Sequence, residues 1–116
     1  MAAPDERFPN ALLIDRGARF IAVQSGGWLQ MRGNGLFVLT KDEIFFERWV
    51  PRREYRVPVA SITGIETVHR FHGKATGARM LKVSFTNAEG KPDAIAWNMG
   101  QIDAVIEQLN RLIKPT

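Results

Sequence analysis

From residue 18 to residue 97 the sequence consists of short runs of alternating apolar and polar residues, separated by turn residues. The clearest run covers residues 79–86, where Leu81, Val83 and Phe85 alternate with polar side chains. A period of two residues is typical of a strand with one buried face. The pattern predicts short antiparallel strands at residues 19–24, 28–32, 36–40, 43–50, 55–59, 62–70, 79–86 and 93–97.

Two turn signals add detail to this pattern. The runs 36–40 and 43–50 are separated only by Lys41 and Asp42, which predicts a hairpin. Pro58 lacks a backbone N–H, so the strand that contains it is expected at a sheet edge or at a bulge.

After residue 97 the period of the apolar residues changes from two to that of a helix. The following side chains form one apolar stripe: Ile102, Val105, Ile106, Leu109, Leu112 and Ile113. Asn98 is placed to cap the N-terminus of this helix, with Gln101 completing a capping-box-like pair, and Pro115 is expected to stop it. A meander of this length curls to hide its edges, and the helix is expected to plug one end of the resulting barrel.

Several of these segments resemble a known family. Residues 35–40 (GLFVLT) and 42–46 (DEIFF) are similar to the G-x-L-x-L-T…L-x-F signature of bacterial pleckstrin-homology-like domains of the GRAM type. Residues 57–62 (VPVASI) resemble the family's I-P-L-x-x-I segment, and residues 81–83 and the terminal helix fit the remainder.

The resemblance covers about residues 18–114, and residues 1–17 are predicted to form an N-terminal arm with a short apolar segment at residues 12–14. It implies a mainly β fold: a seven-stranded, strongly bent antiparallel barrel or pair of packed sheets with one C-terminal amphipathic helix. Family members mostly bind phosphoinositides, other lipids or proteins, and are not enzymes. Residues 23–28 depart from the family, because they lack the lysine and arginine that flank the first inter-strand loop of members binding phosphoinositides tightly.

The basic residues are concentrated in one part of the chain. The protein has 116 residues and a net charge of +4, but residues 48–82 alone hold eight basic and two acidic side chains, a net of +6. The loops 51–54 and 71–78 are separated by two strands, so we expect them at the same end of the barrel. The basic rim predicted there comprises Arg52, Arg53, Arg56, Arg70, His72, Lys74 and Arg79.

This basic rim leads to the first functional hypothesis, a non-enzymatic binding module. Arginine side chains and the backbone N–H groups of a glycine loop bind phosphate and carboxylate oxygens. The expected partner is therefore an anionic lipid headgroup at a membrane surface or an acidic protein surface. A solvated loop of no function is the alternative interpretation.

The aromatic residues lead to a second hypothesis. Ile44 and Phe46 share one face of the first hairpin and Phe45 and Trp49 the other, so both faces are apolar. The second face, assigned to Phe37, Phe45 and Trp49, must be covered by residues 12–14 or by another subunit. An oligomerising scaffold that uses this face is the alternative function.

Other classes of function have little support in the sequence. The chain has no cysteine, no nucleophile elbow and no phosphate-binding or dinucleotide motif, so we expect neither an enzyme nor a cofactor. His69 and His72 have no carboxylate between them and do not suggest a metal site. Few aromatics lie among the basic residues, which argues against nucleic acid. No apolar run spans a bilayer, so a cytoplasmic protein, peripheral to the membrane at most, is expected.

Overall fold

Within the described part of the chain, seven antiparallel strands form one continuous sheet, and one helix follows them. The computed structural model describes residues 7–26 and 32–113. The strands are β1 (Leu13–Val23), β2 (Gly33–Leu39), β3 (Glu43–Arg48), β4 (Arg53–Pro58), β5 (Ile62–Val68), β6 (Met80–Thr86) and β7 (Pro92–Asn98), and the helix is α1 (Ile102–Ile113). The order across the sheet is β4-β3-β2-β1-β7-β6-β5. The predicted fold class, a pleckstrin-homology-like β-sandwich or barrel with a C-terminal helix, is confirmed.

Strand β1 holds the two halves of the sheet together, because it pairs with β2 on one side and with β7 on the other. It begins at Leu13, so the predicted boundary between arm and barrel after residue 17 falls inside a strand. Gly17 does not end the strand: the register shifts there instead, and its N–H donates to Asp15 Oδ1 at 2.8 Å. A second irregularity follows Phe20. Such bulges bend a strand, and a bent β1 can pair with both halves of the sheet.

Strands β4 and β5 are the two edges of the sheet, so hydrogen bonds between them do not close the barrel. The chain crosses from one edge to the other through a 3₁₀ turn at Val59–Ser61. Helix α1 packs against this turn and against β5. The expected barrel is therefore a bent sheet that stays open between β4 and β5. Helix α1 lies at this open seam. Pro58 ends β4, which is an edge strand, the first of the two positions predicted for it, an edge or a bulge.

The interior is filled by apolar side chains from the strands and from one stripe of α1. Phe37 contacts Trp97 edge-on with ring centroids 5.0 Å apart. From the helix, Ile102, Val105 and Leu109 are buried in this core, as the apolar stripe predicts. Burying each such side chain contributes roughly 1.5–3 kcal/mol before conformational entropy is subtracted.

Two details at the helix differ from the prediction or lie outside the described residues. Asn98 is the last residue of β7 rather than the helix cap, and its Nδ2 donates to the carbonyl oxygen of Arg79 at 3.0 Å. Helix α1 begins only at Ile102, because residues 99–101 form the connection. Pro115, and residues 28–31 of the predicted strand 28–32, lie outside the described residues.

Candidate functional site

Strands β3 and β4 carry a row of charged side chains on their outer face. The strands pair so that Phe45 lies opposite Arg56 and Glu47 lies opposite Glu54. Because side chains alternate along a strand, these residues share one face, while Phe46 and its neighbours point into the core.

Ion pairs connect these side chains into a ladder of alternating charge. Arg52 Nη2 lies 2.9 Å from Glu47 Oε2 and 2.8 Å from Glu54 Oε2, so one guanidinium bridges two carboxylates. Arg56 Nη1 lies 2.6 Å from Glu43 Oε2. Arg7 of the N-terminal segment reaches Glu47 Oε2 at 3.2 Å. Each arginine is therefore held in place by at least one carboxylate.

Aromatic rings form the floor between these charges. Phe45 is buried, and the Phe8 ring packs on it with centroids 4.8 Å apart. The Arg56 guanidinium lies over the Phe45 ring at 4.6 Å and that of Arg7 at 5.6 Å. Between residues 7–10 and the outer face of β3 and β4 a groove of about 600 Å³ remains open, lined by Arg7, Phe8, Pro9, Asn10, Thr40, Lys41, Asp42, Glu43, Phe45, Arg52, Glu54 and Arg56.

Glu47 is the buried member of the ladder. Burial by itself raises the pKa of this carboxyl, but hydrogen bonds from Arg7 and Arg52 and their positive charges outweigh it. The pKa of Glu47 is therefore held below its ordinary value, and the side chain is ionised at neutral pH. This carboxylate anchors both the N-terminal segment and the turn between β3 and β4.

That turn presents two apolar side chains to solvent. The exposed fraction is 46% for Trp49 and 79% for Val50. Arg48, which precedes them in the chain, is buried, and its Nε donates to the carbonyl oxygen of Pro51 at 2.9 Å. Arg53 follows the turn and lies over the Tyr55 ring at 5.2 Å. The turn thus combines exposed apolar and basic side chains at one tip.

The second predicted basic loop packs on the sheet instead of projecting from it. Phe71 and Lys74 exchange two backbone hydrogen bonds around His72 and Gly73, whose φ angles of 53° and 75° are both positive. Positive φ at both central residues is what a tight type I′ turn requires, and Gly73 adopts it without strain. Phe71 is buried on the outer face of β1, β6 and β7, where Ile21 and its neighbours form a small cluster.

Lys74 of this loop and Arg79, which follows it, both bind to neighbouring parts of the protein. Lys74 Nζ donates to the carbonyl oxygen of Ile21 at 3.2 Å, and burial, together with the charge of Arg32, lowers the pKa of Lys74. Arg79 forms two hydrogen bonds of 2.9 Å to Asp103 at the start of α1, and this pair raises the pKa of Arg79 and lowers that of Asp103.

The seven residues of the predicted basic rim therefore fall into separate groups. Arg52 and Arg56 line the groove, and Arg53 lies over Tyr55 on the other face of β4. Lys74 and Arg79 contact β1 and α1, and Arg70 and His72 belong to the same loop as Lys74. Among the described residues no hydrogen bond or ion pair joins the two loops. The two strands between the loops predict that both loops lie at one end of the barrel. That prediction treats β4 and β5 as neighbouring strands, whereas they are the two opposite edges of the sheet.

The predicted second aromatic face is also divided. Phe37 pairs with Phe46 across β2 and β3 and is fully buried in the core, so it does not belong to that face. Phe45 does, but Phe8, Ala11 and Ile14 pack on its cluster. The N-terminal segment is thus what covers the face. Trp49 belongs to the turn beyond β3.

Sequence reasoning missed the acidic half of the site and the N-terminal contribution. Glu43, Glu47 and Glu54 follow from the hairpin register, since alternate residues of paired strands face the same side. No local signal indicates that Arg7 and Phe8 return to β3, because that contact spans about forty residues of the chain.

Comparisons with known proteins agree on the fold. No protein-family model and no curated protein matches this chain. A chain of the 8S snRNP assembly intermediate is similar in structure, with a TM-score of 0.68 at 5% sequence identity, over 100% of this chain and 91% of that one. The C-terminal domain of an unknown protein from Leishmania infantum has a TM-score of 0.61 at 13% identity, over 94% of both chains. Identities this low show a shared fold alone.

Proposed function

We propose that this protein is a non-enzymatic binding module of the bacterial pleckstrin-homology-like, GRAM-type family, and that it docks on an anionic membrane surface. The contact is the turn between β3 and β4. The observation that supports this most directly is the exposure of Trp49 and Val50 at its tip, beside Arg52 and Arg53. Within the described residues no helix has the length and apolar character to cross a bilayer.

The chemistry of the turn suits a membrane interface. Tryptophan is favoured at the level of the lipid headgroups, because its ring is apolar and its N–H is polar. Arginines beside it attract anionic headgroups, at about 1 kcal/mol per residue near the surface. Weak apolar insertion combined with basic charge gives reversible peripheral binding. Glu47 and Glu54, the partners of Arg52, reduce the net charge of the turn, so the affinity requires both the arginines and the apolar side chains.

Membrane docking is tested by sedimentation with vesicles of phosphatidylcholine, with and without phosphatidylserine. We expect binding only with the anionic lipid, weakening steeply with salt. Trp49→Ala should reduce the affinity by about tenfold to a hundredfold, since it removes an inserted side chain worth roughly 1.5–3 kcal/mol. The paired change Arg52→Glu/Arg53→Glu should abolish binding.

Two control variants make the result specific. Leu12→Ala removes a similarly exposed apolar side chain, and Arg111→Glu reverses an exposed charge on α1. Both should bind anionic vesicles as the native protein does. Equally poor binding to both kinds of vesicle, or equal losses in the control variants, would refute docking through this turn.

The groove supports a second candidate, an acidic segment of a partner protein. Arg52 and Arg56 are half-exposed and held by carboxylates, which reduces the entropy lost when a ligand binds. Among the described contacts, Arg52 Nη1 and Arg56 Nε donate no hydrogen bond, which leaves each guanidinium a donor for an acidic group. Arg56→Glu, measured with a polyglutamate peptide, should abolish such binding without affecting vesicles.

A further inference from the structure

Strand β4 is an edge of the sheet, and its register shows which backbone groups face outward. Val59 N donates to Asp42 O at 2.8 Å, and this pair continues the β3–β4 register without a shift. Hydrogen-bonded and non-hydrogen-bonded pairs alternate along antiparallel strands. Val57, Tyr55 and Arg53 therefore bond to β3.

The residues between them direct their backbone groups away from β3. The N–H and C=O of Glu54 and Arg56 point to the side on which no described strand pairs with β4, whereas the C=O of Pro58 accepts a hydrogen bond from Ser61 Oγ at 2.7 Å. The pairing of β2 with β3 agrees with this assignment, because Thr40 N donates to Glu43 O and Trp49 N to Asn34 O. The even-numbered residues of β3 are thus the ones left to bond β4.

Glu54 and Arg56 also carry side chains of opposite charge on the outer face of the sheet. The side-chain exposure is 38% for Glu54 and 52% for Arg56. Helix α1 packs on β5 and on the 3₁₀ turn that follows β4, at the seam between the two edges of the sheet. β4 therefore offers outward-facing backbone groups flanked by an acidic and a basic side chain.

We propose that β4 pairs with β4 of a second copy of this chain, antiparallel, across a two-fold axis at Tyr55. In this register Glu54 lies opposite the partner's Arg56, and Arg56 lies opposite the partner's Glu54. Each of these pairs exchanges two backbone hydrogen bonds, because both members direct their backbone groups outward. The interface is isologous, as a two-fold axis requires.

Charge selects this register over its neighbours. Sliding one strand by two residues in one direction would place Glu54 opposite the partner's Glu54. Sliding it in the other direction would place Arg56 opposite the partner's Arg56. Like charges directly opposite each other destabilise a pair of strands, whereas opposite charges stabilise it. Slides by one residue fail because they set outward-facing groups against inward-facing ones.

The pairing also extends the charge ladder of the monomer. Glu54 lies directly opposite Glu47 on β3, and Arg52 alone bridges the two at 2.9 and 2.8 Å. The partner's Arg56 brings a second positive charge beside Glu54. Charged residues on an edge strand usually prevent pairing, but an alternating pair such as this one is self-complementary.

Pairs of variants test this proposal by exchanging charges. Arg56→Glu alone and Glu54→Arg alone each place like charges opposite each other, so we expect a monomer where the native chain is a dimer. Mixing these two single variants in equal amounts should restore a dimer, because every cross-strand pair is again of opposite sign. The double variant Glu54→Arg/Arg56→Glu should dimerise by itself. Sedimentation velocity over a wide range of protein concentrations measures all four, and circular dichroism checks that each variant is folded.

Further outcomes are decisive against the proposal. A native chain that stays monomeric at every concentration overturns it. Dimerisation of either single variant as strong as that of the native chain overturns it too, since it locates the contact elsewhere. Backbone amide exchange provides an independent measurement: the N–H groups of Glu54 and Arg56 should gain protection as concentration rises, while that of Thr67 on β5 should not.

Discussion

At the scale of single residues, Glu47 is a nearly buried charge held by two arginines. Its side chain is 11% exposed and accepts hydrogen bonds from Arg7 and Arg52. These contacts connect the N-terminal segment, β3 and the exposed turn, so the carboxylate supports both the groove and the proposed membrane contact.

The depressed pKa of Glu47 makes its contribution depend on pH. The pKa lies below the ordinary 4.5 in the folded state, so the stabilisation is complete above 4.5 and is lost as pH falls through the folded value. Glu47→Gln should lower the free energy of unfolding by about 1–2 kcal/mol at pH 7. The difference between the two proteins should shrink towards zero at acidic pH, which urea unfolding at pH 7 and at pH 3 measures.

Glu66→Gln is the matched control for this measurement. Glu66 also forms an ion pair, with Lys82 at 3.3 Å, but its side chain is 57% exposed. Exposed pairs contribute less than about 1 kcal/mol. A loss for Glu66→Gln as large as that for Glu47→Gln, or a loss for Glu47→Gln that does not change with pH, would contradict the role given to burial.

At the scale of elements, strands β2 and β3 approach each other closely at Gly35. A Cβ on Gly35 would overlap the carbonyl oxygen of Glu47 and lie 2.8 Å from Cζ of Phe46. Neither backbone nor core ring can yield without disturbing the hairpin. The glycine is thus required by a backbone approach and not by its φ angle.

Gly35→Ala should therefore destabilise the protein by about 3 kcal/mol or slightly more, at the upper end of the cost of overpacking. Thermal unfolding followed by circular dichroism measures the loss. Gly100→Ala is the control, because a Cβ there meets nothing within 4 Å, and its midpoint should remain near that of the native protein. A native-like midpoint for Gly35→Ala would mean that the two strands do not pack this closely.

Elements were predictable where the local pattern is strong. The alternation in residues 79–86 and the apolar stripe of α1 identified β6 and the helix almost to the residue. The prediction was weaker where tertiary contacts override a local signal. Gly17 marks a bulge rather than a break, because β1 pairs on both sides of it. Asn98 is drawn into β7 by its contact with Arg79, so it cannot cap α1.

At the scale of the whole molecule, the open seam between β4 and β5 makes the helix essential. Leu109 of α1 is fully buried in the same core as residues from both halves of the sheet. Leu109→Ala should cost about 2–5 kcal/mol in the free energy of unfolding, because it leaves a cavity that the sheet cannot fill. Denaturant unfolding measures this loss.

Asn110→Ala, on the exposed side of the same helix, should change the free energy of unfolding by about 0.5 kcal/mol at most. Equal effects of the two substitutions would mean that α1 does not carry part of the core.

The distribution of charge also belongs to this scale. The excess of basic residues in 48–82 is real, but it does not form one surface. Arg52 and Arg56 face a groove that is also lined by Asp42, Glu43 and Glu54, whereas Arg79 is bound to α1. Net charge along a sequence counts residues, while recognition depends on which face each side chain occupies.

The amino-acid sequence by itself determined the fold class, most strand positions, an edge or a bulge at Pro58, and the apolar stripe of the helix. These depend on periodicity and on single residues such as Pro58, which act over a few neighbours. Only the tertiary structure decided that Phe8 covers Phe45 and that Glu47 joins Arg7 to Arg52. It also decided that the basic loops 51–54 and 71–78 do not form one surface. Those contacts join residues far apart in the chain. Which residues meet depends on how the sheet bends around β1 and on how α1 packs at the open seam between β4 and β5.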